Sequence, residues 1–298
     1  MITALPPPVP GLAVHRSRKM IPEFQLRRPR SPSEAVAMRA EAGHGGFFMA
    51  GGIDLVNRMK FGEPVAEVIY LGGIAGLDAI TETEGALRLG SLVTHHQLET
   101  SAIVRERFPE LAKTWQDVAN IRIRCKGTIG GNIMSADPTY DFTPAAMAAG
   151  ADLHFLAVDG TVRVVSAMRM SGVKPDGLLT AITLPMAGPL RLTFDRSLRP
   201  AVTLALGLDL DGGKIVVGRI AIGCAFGVPF AVTLPLNEPL PPREVARRAA
   251  ILAHDVAASM PEPTNDGYAS AHYRRRMIEV LLRRNLGRLL ERSHEPAH

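Results

Sequence analysis

Cysteine is scarce in this chain: Cys125 and Cys224 are the only two in 298 residues. They stand far apart and form no CxxC pair, so the chain has neither a disulfide framework nor a zinc or iron–sulfur site of its own. Any cluster must sit on another chain. Aromatic residues make up 5% and no basic stretch is interleaved with them, so the net charge of +5 points to nucleic acid only weakly; an acidic partner surface explains it as well. No stretch approaches the ~20 apolar residues that span a bilayer. No GxGxxG follows a strand and no GxxxxGK[ST] occurs, which leaves a Rossmann domain or a P-loop unsupported. No HExxH spacing accompanies the nine histidines, and the neighbours His95 and His96 diverge on a helix or a strand, so they read as polar surface or satisfied, partly buried residues. No Ser/His/Asp or paired-carboxylate set can be assembled.

Hydrophobic content of 46% and charged content of 21% are those of an ordinary globular protein, long enough for two domains with cores. Residues 1–19 are proline-rich. Their basic residues (His15, Arg16, Arg18, Lys19) follow the mildly apolar part, which Pro6, Pro7, Pro8 and Pro10 interrupt, whereas a secretory signal has the opposite order. This reads as a disordered basic extension, or as sequence upstream of a start at Met20. A cytoplasmic location is expected.

What is present is glycine in two polar settings. The organising stretch runs from Ile123 to Pro144 and contains Thr128-Ile129-Gly130-Gly131-Asn132. Paired glycines let the backbone take φ > 0 and approach a ligand closely, so successive N–H groups are expected to point into one anion-binding concavity. Thr128, Asn132, Ser135, Asp137 and Asp141 add donors and acceptors for a hydroxyl-rich group. A phosphate joined to a polyol is the expected guest. The second loop, Phe48 to Leu55, follows the apolar run Gly46 to Met49 and precedes a helix-like segment, Val56 to Lys60. That order puts backbone donors at a helix N-terminus. Two such loops can grip one pyrophosphate, although either alone reads more simply as a tight turn.

Around these loops the pattern predicts a small α/β unit and then shorter strands and helices. Ser31-Pro32-Ser33-Glu34 is a capping box opening a helix that Gly43 closes. Strands are expected at Val68 to Leu71, Leu87 to Leu89 and Ser91 to Val93, and helices at Leu98 to Arg107 and Pro109 to Ala119, with Trp115 and Val118 inward. A helix near Thr143 to Ala149 comes next. A hairpin of Ala151 to Val158 with Thr161 to Val165 turns at Asp159-Gly160, and the strand Leu178 to Leu184 completes its sheet. Pro185 to Pro189 reads as a boundary. Beyond it come strands Leu190 to Asp195, Ala201 to Asp209 and Lys214 to Gly223, then helices Pro242 to Ala258 and Ala269 to Arg292, an α+β order. The last helix is amphipathic and basic, which predicts a solvated face.

Taken together, Ala50-Gly51-Gly52-Ile53-Asp54-Leu55 and Ile123-Arg124-Cys125-Lys126-Gly127-Thr128-Ile129-Gly130-Gly131-Asn132, followed by Ala136-Asp137-Pro138 and Asp141, resemble the two glycine loops of the FAD-binding medium subunit of the molybdenum hydroxylases, the xanthine and carbon monoxide dehydrogenase family. The similarity begins near Ile21-Pro22-Glu23-Phe24, passes through Arg88 to Thr94 and ends with the Tyr273 to Arg276 helix. It implies an α+β fold: a two-subdomain FAD-binding domain of the vanillyl-alcohol oxidase/PCMH type over 20–187, then a small α+β domain over 188–298 with a three-stranded antiparallel sheet and helices on one face. It also implies FAD pyrophosphate on the backbone of Ala50, Gly51, Gly52, Ile53, Asp54 and Leu55 and on the run Thr128 to Asn132, which includes Gly130 and Gly131, with Met49 in the wider cofactor-binding set. Asp137 joins the cofactor-binding set, Asp141 falls on the ribityl or adenosine side, and Leu178 or Leu179 packs near the flavin. Some positions depart from the family pattern: Asp54 and Cys125 replace a common Ser and Asn, and Asp195-Arg196 stands where a lysine or tyrosine is expected.

By that resemblance the chain is an electron-transfer flavoprotein. Electrons leave a substrate at the molybdopterin cofactor of a large subunit, cross two [2Fe–2S] clusters of a small subunit, reach FAD here and pass to an external acceptor, in a dimer of heterotrimers. The substrate can be an N-heteroaromatic, an aldehyde or CO. Two alternatives stand. A self-contained flavin oxidase of the vanillyl-alcohol oxidase type shares the fold, but Ile53 holds the place of its tethering histidine, and only about 110 residues follow Pro185. A non-redox assembly subunit that has lost FAD is the other.

Overall fold

The computed structural model describes residues 21–116, 118–170, 176–186, 190–197 and 200–292. The extension expected over 1–19 lies outside them, as do residues 187–189 of the expected boundary.

The chain opens with β1 (Gln25–Arg27) and α1 (Pro32–Ala42). The predicted cap is formed: the Ser31 hydroxyl accepts from Glu34 N at 3.1 Å, while the Glu34 carboxylate accepts from Arg30 N at 2.7 Å, one residue earlier than a standard capping box. β2 (Gly46–Met49), α2 (Ile53–Lys60) and β3 (Glu67–Tyr70) follow. All three strands are parallel in the order β1-β3-β2, because α1 and α2 provide the crossovers that parallel pairing needs.

A second sheet uses β4 (Ile80–Thr83) and β5 (Ala86–Gly90). Six helices intervene, α3 (His95–Thr100), α4 (Ala102–Arg107), α5 (Pro109–Gln116), α6 (Ile121–Arg124), α7 (Ile129–Ser135) and α8 (Phe142–Ala148), before β6 (Asp152–Leu156), β7 (Val162–Ser166) and β8 (Leu178–Pro185). The five strands pair antiparallel as β4-β5-β8-β6-β7, with the expected turn at Asp159-Gly160. Two expectations change. Ser91 to Val93 is no strand: Val93 N bonds back to Gly90 O at 3.0 Å and Leu92 N bonds to Leu77 O at 2.7 Å, which makes a turn. The helix expected from Leu98 to Arg107 is two helices, each with its own cap. Thr94 and Gln97 form a capping box before α3, and the Ser101 hydroxyl accepts from Val104 N to start α4. Trp115 and Val118 are buried as expected, and Trp115 meets Phe142 edge-on at 5.4 Å between the helices and the sheet.

The third sheet is antiparallel, β12-β11-β10-β9, built from β9 (Leu190–Arg196), β10 (Thr203–Asp211), β11 (Lys214–Gly223) and β12 (Phe230–Thr233). The expected three strands are thus joined by a fourth, too short before Pro235 to show an alternation. α9 (Pro242–Arg247), α10 (Ala249–Ser259) and α11 (Ala271–Arg292) bury Val245, Leu252, Ile278, Leu281 and Leu282 against one face; the single helix expected over Pro242 to Ala258 breaks at Arg248. The other face meets α8, whose last turn is gripped by Arg219: Nε donates to Ala148 O at 3.0 Å while Nη1 pairs with Asp209 at 2.7 Å. Not all of the basic face of α11 is solvated. Arg274 is buried and holds Thr264 O and Asp266, while Arg283 and Arg284 are exposed.

Candidate cofactor site

β2 delivers the chain into the first glycine loop and α2 leaves it, as the sequence order predicts. Gly52 caps α2 in the left-handed region at φ +76°, where glycine carries no Cβ penalty. Gly51 is needed for a different reason, since a Cβ there would stand 1.6 Å from the Lys126 carbonyl oxygen. The two glycine loops touch at this point, backbone against backbone. The N–H groups of Gly51, Gly52, Ile53, Asp54 and Leu55 have no hydrogen-bond partner among the described residues. Those of Gly52 to Leu55 are the four orphan donors of a helix start, carrying the positive end of its dipole, and Gly51 adds one beside them.

The second loop corrects the expectation made for it. Gly130 and Gly131 do not take positive φ; they belong to the first turn of α7, capped by Thr128. Their N–H groups form no open concavity, because Gly130 N donates to Ser91 O at 2.9 Å and Gly131 N to the Thr128 hydroxyl at 3.1 Å. With Ile129 N on Val93 O at 2.9 Å, these bonds hang the loop on the Ser91 to Thr94 segment. Gly130 is required by packing, as a Cβ would meet Ser91 O at 2.5 Å.

Both loops face one cavity of about 680 Å³, and every expected cofactor residue lines it except Asp137. Met49 to Leu55 form one wall, Thr128, Gly130, Gly131 and Asn132 another, and Leu178 and Leu179, the first residues of β8, a third. The Asp137 carboxylate turns aside to accept from Thr139 N at 2.8 Å and its hydroxyl at 2.7 Å, so that Thr139 is what reaches the cavity. Asp141, before α8, lies 3.8 Å from Arg196 of β9. Burial raises its pKa and the guanidinium opposes that rise. Arg58, also at the wall, pairs with Asp54 at 3.4 Å and with Glu63, and lies over the Phe47 ring.

Several lining residues were not legible beforehand. Ser91 belongs to the turn expected as a strand, His95 reads in the sequence as polar surface or a satisfied, partly buried residue, and Tyr140 lies between Asp137 and Asp141 with nothing in its spacing to mark it. Burial comes first in raising the Tyr140 pKa, with the charges of Asp54 and Asp137 adding to it. The donor set fits a phosphate-bearing polyol. Two polar atoms in these walls, Ser91 Oγ and Asn132 Oδ1, are buried without a partner among the described residues, and such atoms call for a ligand or water.

Residues 22–187 match the model of the FAD binding domain in molybdopterin dehydrogenase. The chain belongs to that family. This molybdopterin dehydrogenase FAD-binding domain and the segment after it are 29% identical over 296 residues to the carbon monoxide dehydrogenase medium chain of Afipia carboxidovorans, covering 92% of this chain and 99% of the relative. The nicotine 6-hydroxylase medium subunit of Paenarthrobacter nicotinovorans is 26% identical over 255 residues, 80% of this chain and 87% of that one. A chain of carbon monoxide dehydrogenase from Hydrogenophaga pseudoflava superposes with a TM-score of 0.79 at 25% identity, over 92% of this chain and 99% of its own. The α+β architecture is therefore that of the FAD subunits of molybdenum-dependent dehydrogenases. Among the described residues no helix is long and apolar enough to cross a membrane.

Proposed function

We propose that this chain is the FAD-carrying electron-transfer subunit of a cytoplasmic molybdenum hydroxylase. Its partners are a large subunit with the molybdopterin cofactor, where substrate is oxidised, and a small subunit with two [2Fe–2S] clusters, assembled as a dimer of heterotrimers. An external acceptor drains the electrons. The relatives named for carbon monoxide and nicotine differ in substrate, which agrees with substrate choice lying on the large subunit.

The observation that carries this reading is one cavity shared by both glycine loops, offering free backbone N–H groups on one side and two unpartnered polar atoms on the other. FAD, when bound, accepts and releases electrons singly or in pairs by its own chemistry. The protein's part is to hold it. The N–H groups of Gly51 to Leu55 take the pyrophosphate at the positive end of α2. Thr128, Asn132 and Ser91 answer the polyol hydroxyls, and Asp141 accepts from the ribityl or adenosine side with Arg196 balancing its charge. Leu178 and Leu179 give the ring an apolar wall. Asp137 contributes by fixing Thr139.

The test is purification of the chain with whatever accompanies it, followed by a visible spectrum and separation of the subunits. A flavin band released on denaturation, with one large and one small companion, is expected. A colourless protein that stays colourless after FAD is added, or a lone chain that oxidises substrate by itself, refutes the reading.

A further inference from the structure

The two walls of the cavity are supplied with donors unequally. The first glycine loop has open backbone N–H groups, whereas those of the second are consumed by Ser91 and Thr128. Beneath the second loop sits His95, the first residue of α3, 4% exposed and lining the cavity. Its backbone N–H donates to Gly127 O at 3.1 Å, which fixes the helix start under the loop. Trp115 Nε1 donates to His95 Nδ1 at 3.0 Å. An indole nitrogen only donates, so Nδ1 is the acceptor and the ring proton is on Nε2. The rings of Trp115 and Phe142, with centroids 6.0 and 6.4 Å away, hold the imidazole in place. Its far edge faces Gly127: a Cβ on that residue would stand 3.1 Å from Cδ2 and 3.6 Å from Nε2. Nε2 has no partner among the described residues.

We infer that His95 is a cofactor-binding residue, a neutral imidazole whose Nε2–H donates to an oxygen of the phosphate or ribityl chain of FAD at the second glycine loop. The inference rests on the placement of FAD in this cavity and adds a donor that neither glycine motif contains. Trp115 is its positioning residue, setting the tautomer from behind. Burial, followed by the charge of Arg124, pulls the imidazole pKa down to about 4. Glu99 holds Arg124 at 3.0 Å and meets His96 at 3.4 Å. The donor is thus uncharged throughout the neutral range, and Gly127 is the residue that leaves its edge uncovered.

The full chain labelled with ¹⁵N-histidine tests this, together with FAD titrations of His95→Leu and His95→Gln. The parent's His95 is expected to show the Nε2–H tautomer, and its Nε2 resonance to move on saturation with FAD. His95→Leu, with a native circular dichroism spectrum, is expected to bind FAD about tenfold more weakly, and His95→Gln, which keeps a side-chain N–H, to recover part of the loss. A resonance that stays put at saturation, or a folded His95→Leu with the parent's Kd, overturns the inference while leaving FAD in the cavity. Should His95→Leu not fold, the parent's resonance alone decides. A parent that takes up no FAD at any concentration removes both this inference and the reading beneath it.

Discussion

The same dipeptide, Gly-Gly, appears in both loops and serves two different physical ends. At Gly51-Gly52 the chain needs what only glycine gives, a backbone against the Lys126 carbonyl and then a left-handed turn into α2, and it leaves the N–H groups open. At Gly130-Gly131 the backbone is helical, the N–H groups are used internally, and the smallness of Gly130 serves packing on Ser91. One loop offers the cavity its backbone. The other offers side chains and what lies beneath it.

The contrast breaks most visibly at Gly51. Gly51→Val puts atoms where the Lys126 carbonyl stands and drives the loops apart, so a loss of about 3 kcal/mol or more in stability, with flavin absent, is expected from chemical denaturation and flavin content; a variant that retains flavin would falsify the contact. The pH dependence comes next. His95 has its folded pKa lowered from 6.5 to about 4, so between these values the unfolded chain binds the extra proton. Its contribution is complete above pH 6.5 and is lost as pH falls towards 4, about 3 kcal/mol in all. His95→Gln should flatten that limb of a stability–pH curve, and an unchanged slope argues against a buried neutral ring. The raised pKa of Asp141 works in the opposite sense: its contribution is present below pH 3.8 and is lost as pH rises through the folded value, so its charged form is a cost at neutrality.

Gly130→Ala should cost about 1–3 kcal/mol, as its methyl must displace Ser91. A thermal melt superposing on the parent's would show that the segment yields freely. Gly131→Ala is the mildest change, with a Cβ 3.0 Å from the Thr128 hydroxyl, which has only to give by a few tenths of an ångström while it caps α7, and with helix propensity in its favour; stability within about 1 kcal/mol of the parent is expected. A loss as large as that of Gly51→Val would mean that the two glycine pairs are equivalent after all.

Much of this was readable in the sequence because it is local. The Ser31 capping box, the Asp159-Gly160 turn and the strand, loop and helix around Gly51 each announce themselves within a few residues. What was illegible is tertiary. α7 spans seven residues, two of them glycines of poor helix propensity, and it exists because Thr128 caps it and the Ser91 to Thr94 segment holds it. β12 has four residues and depends on β11 for its pairing. His95 looked bland because its meaning depends on Trp115, twenty positions on, and on a loop still further away.

The pair formed by Asp141 and Arg196 bears on how this protein can be dissected. The family match stops at residue 187, yet the cation that balances the cavity's half-buried Asp141 carboxylate is at 196, and Asp195 beside it is tied to Arg284 of α11 at 2.6 Å. A fragment cut where the match ends carries both glycine loops but leaves Asp141 without its countercharge. A flavin module cut at that point lacks the pair, and a chimaera that is to keep it must borrow β9 and its anchor on the final helix as well.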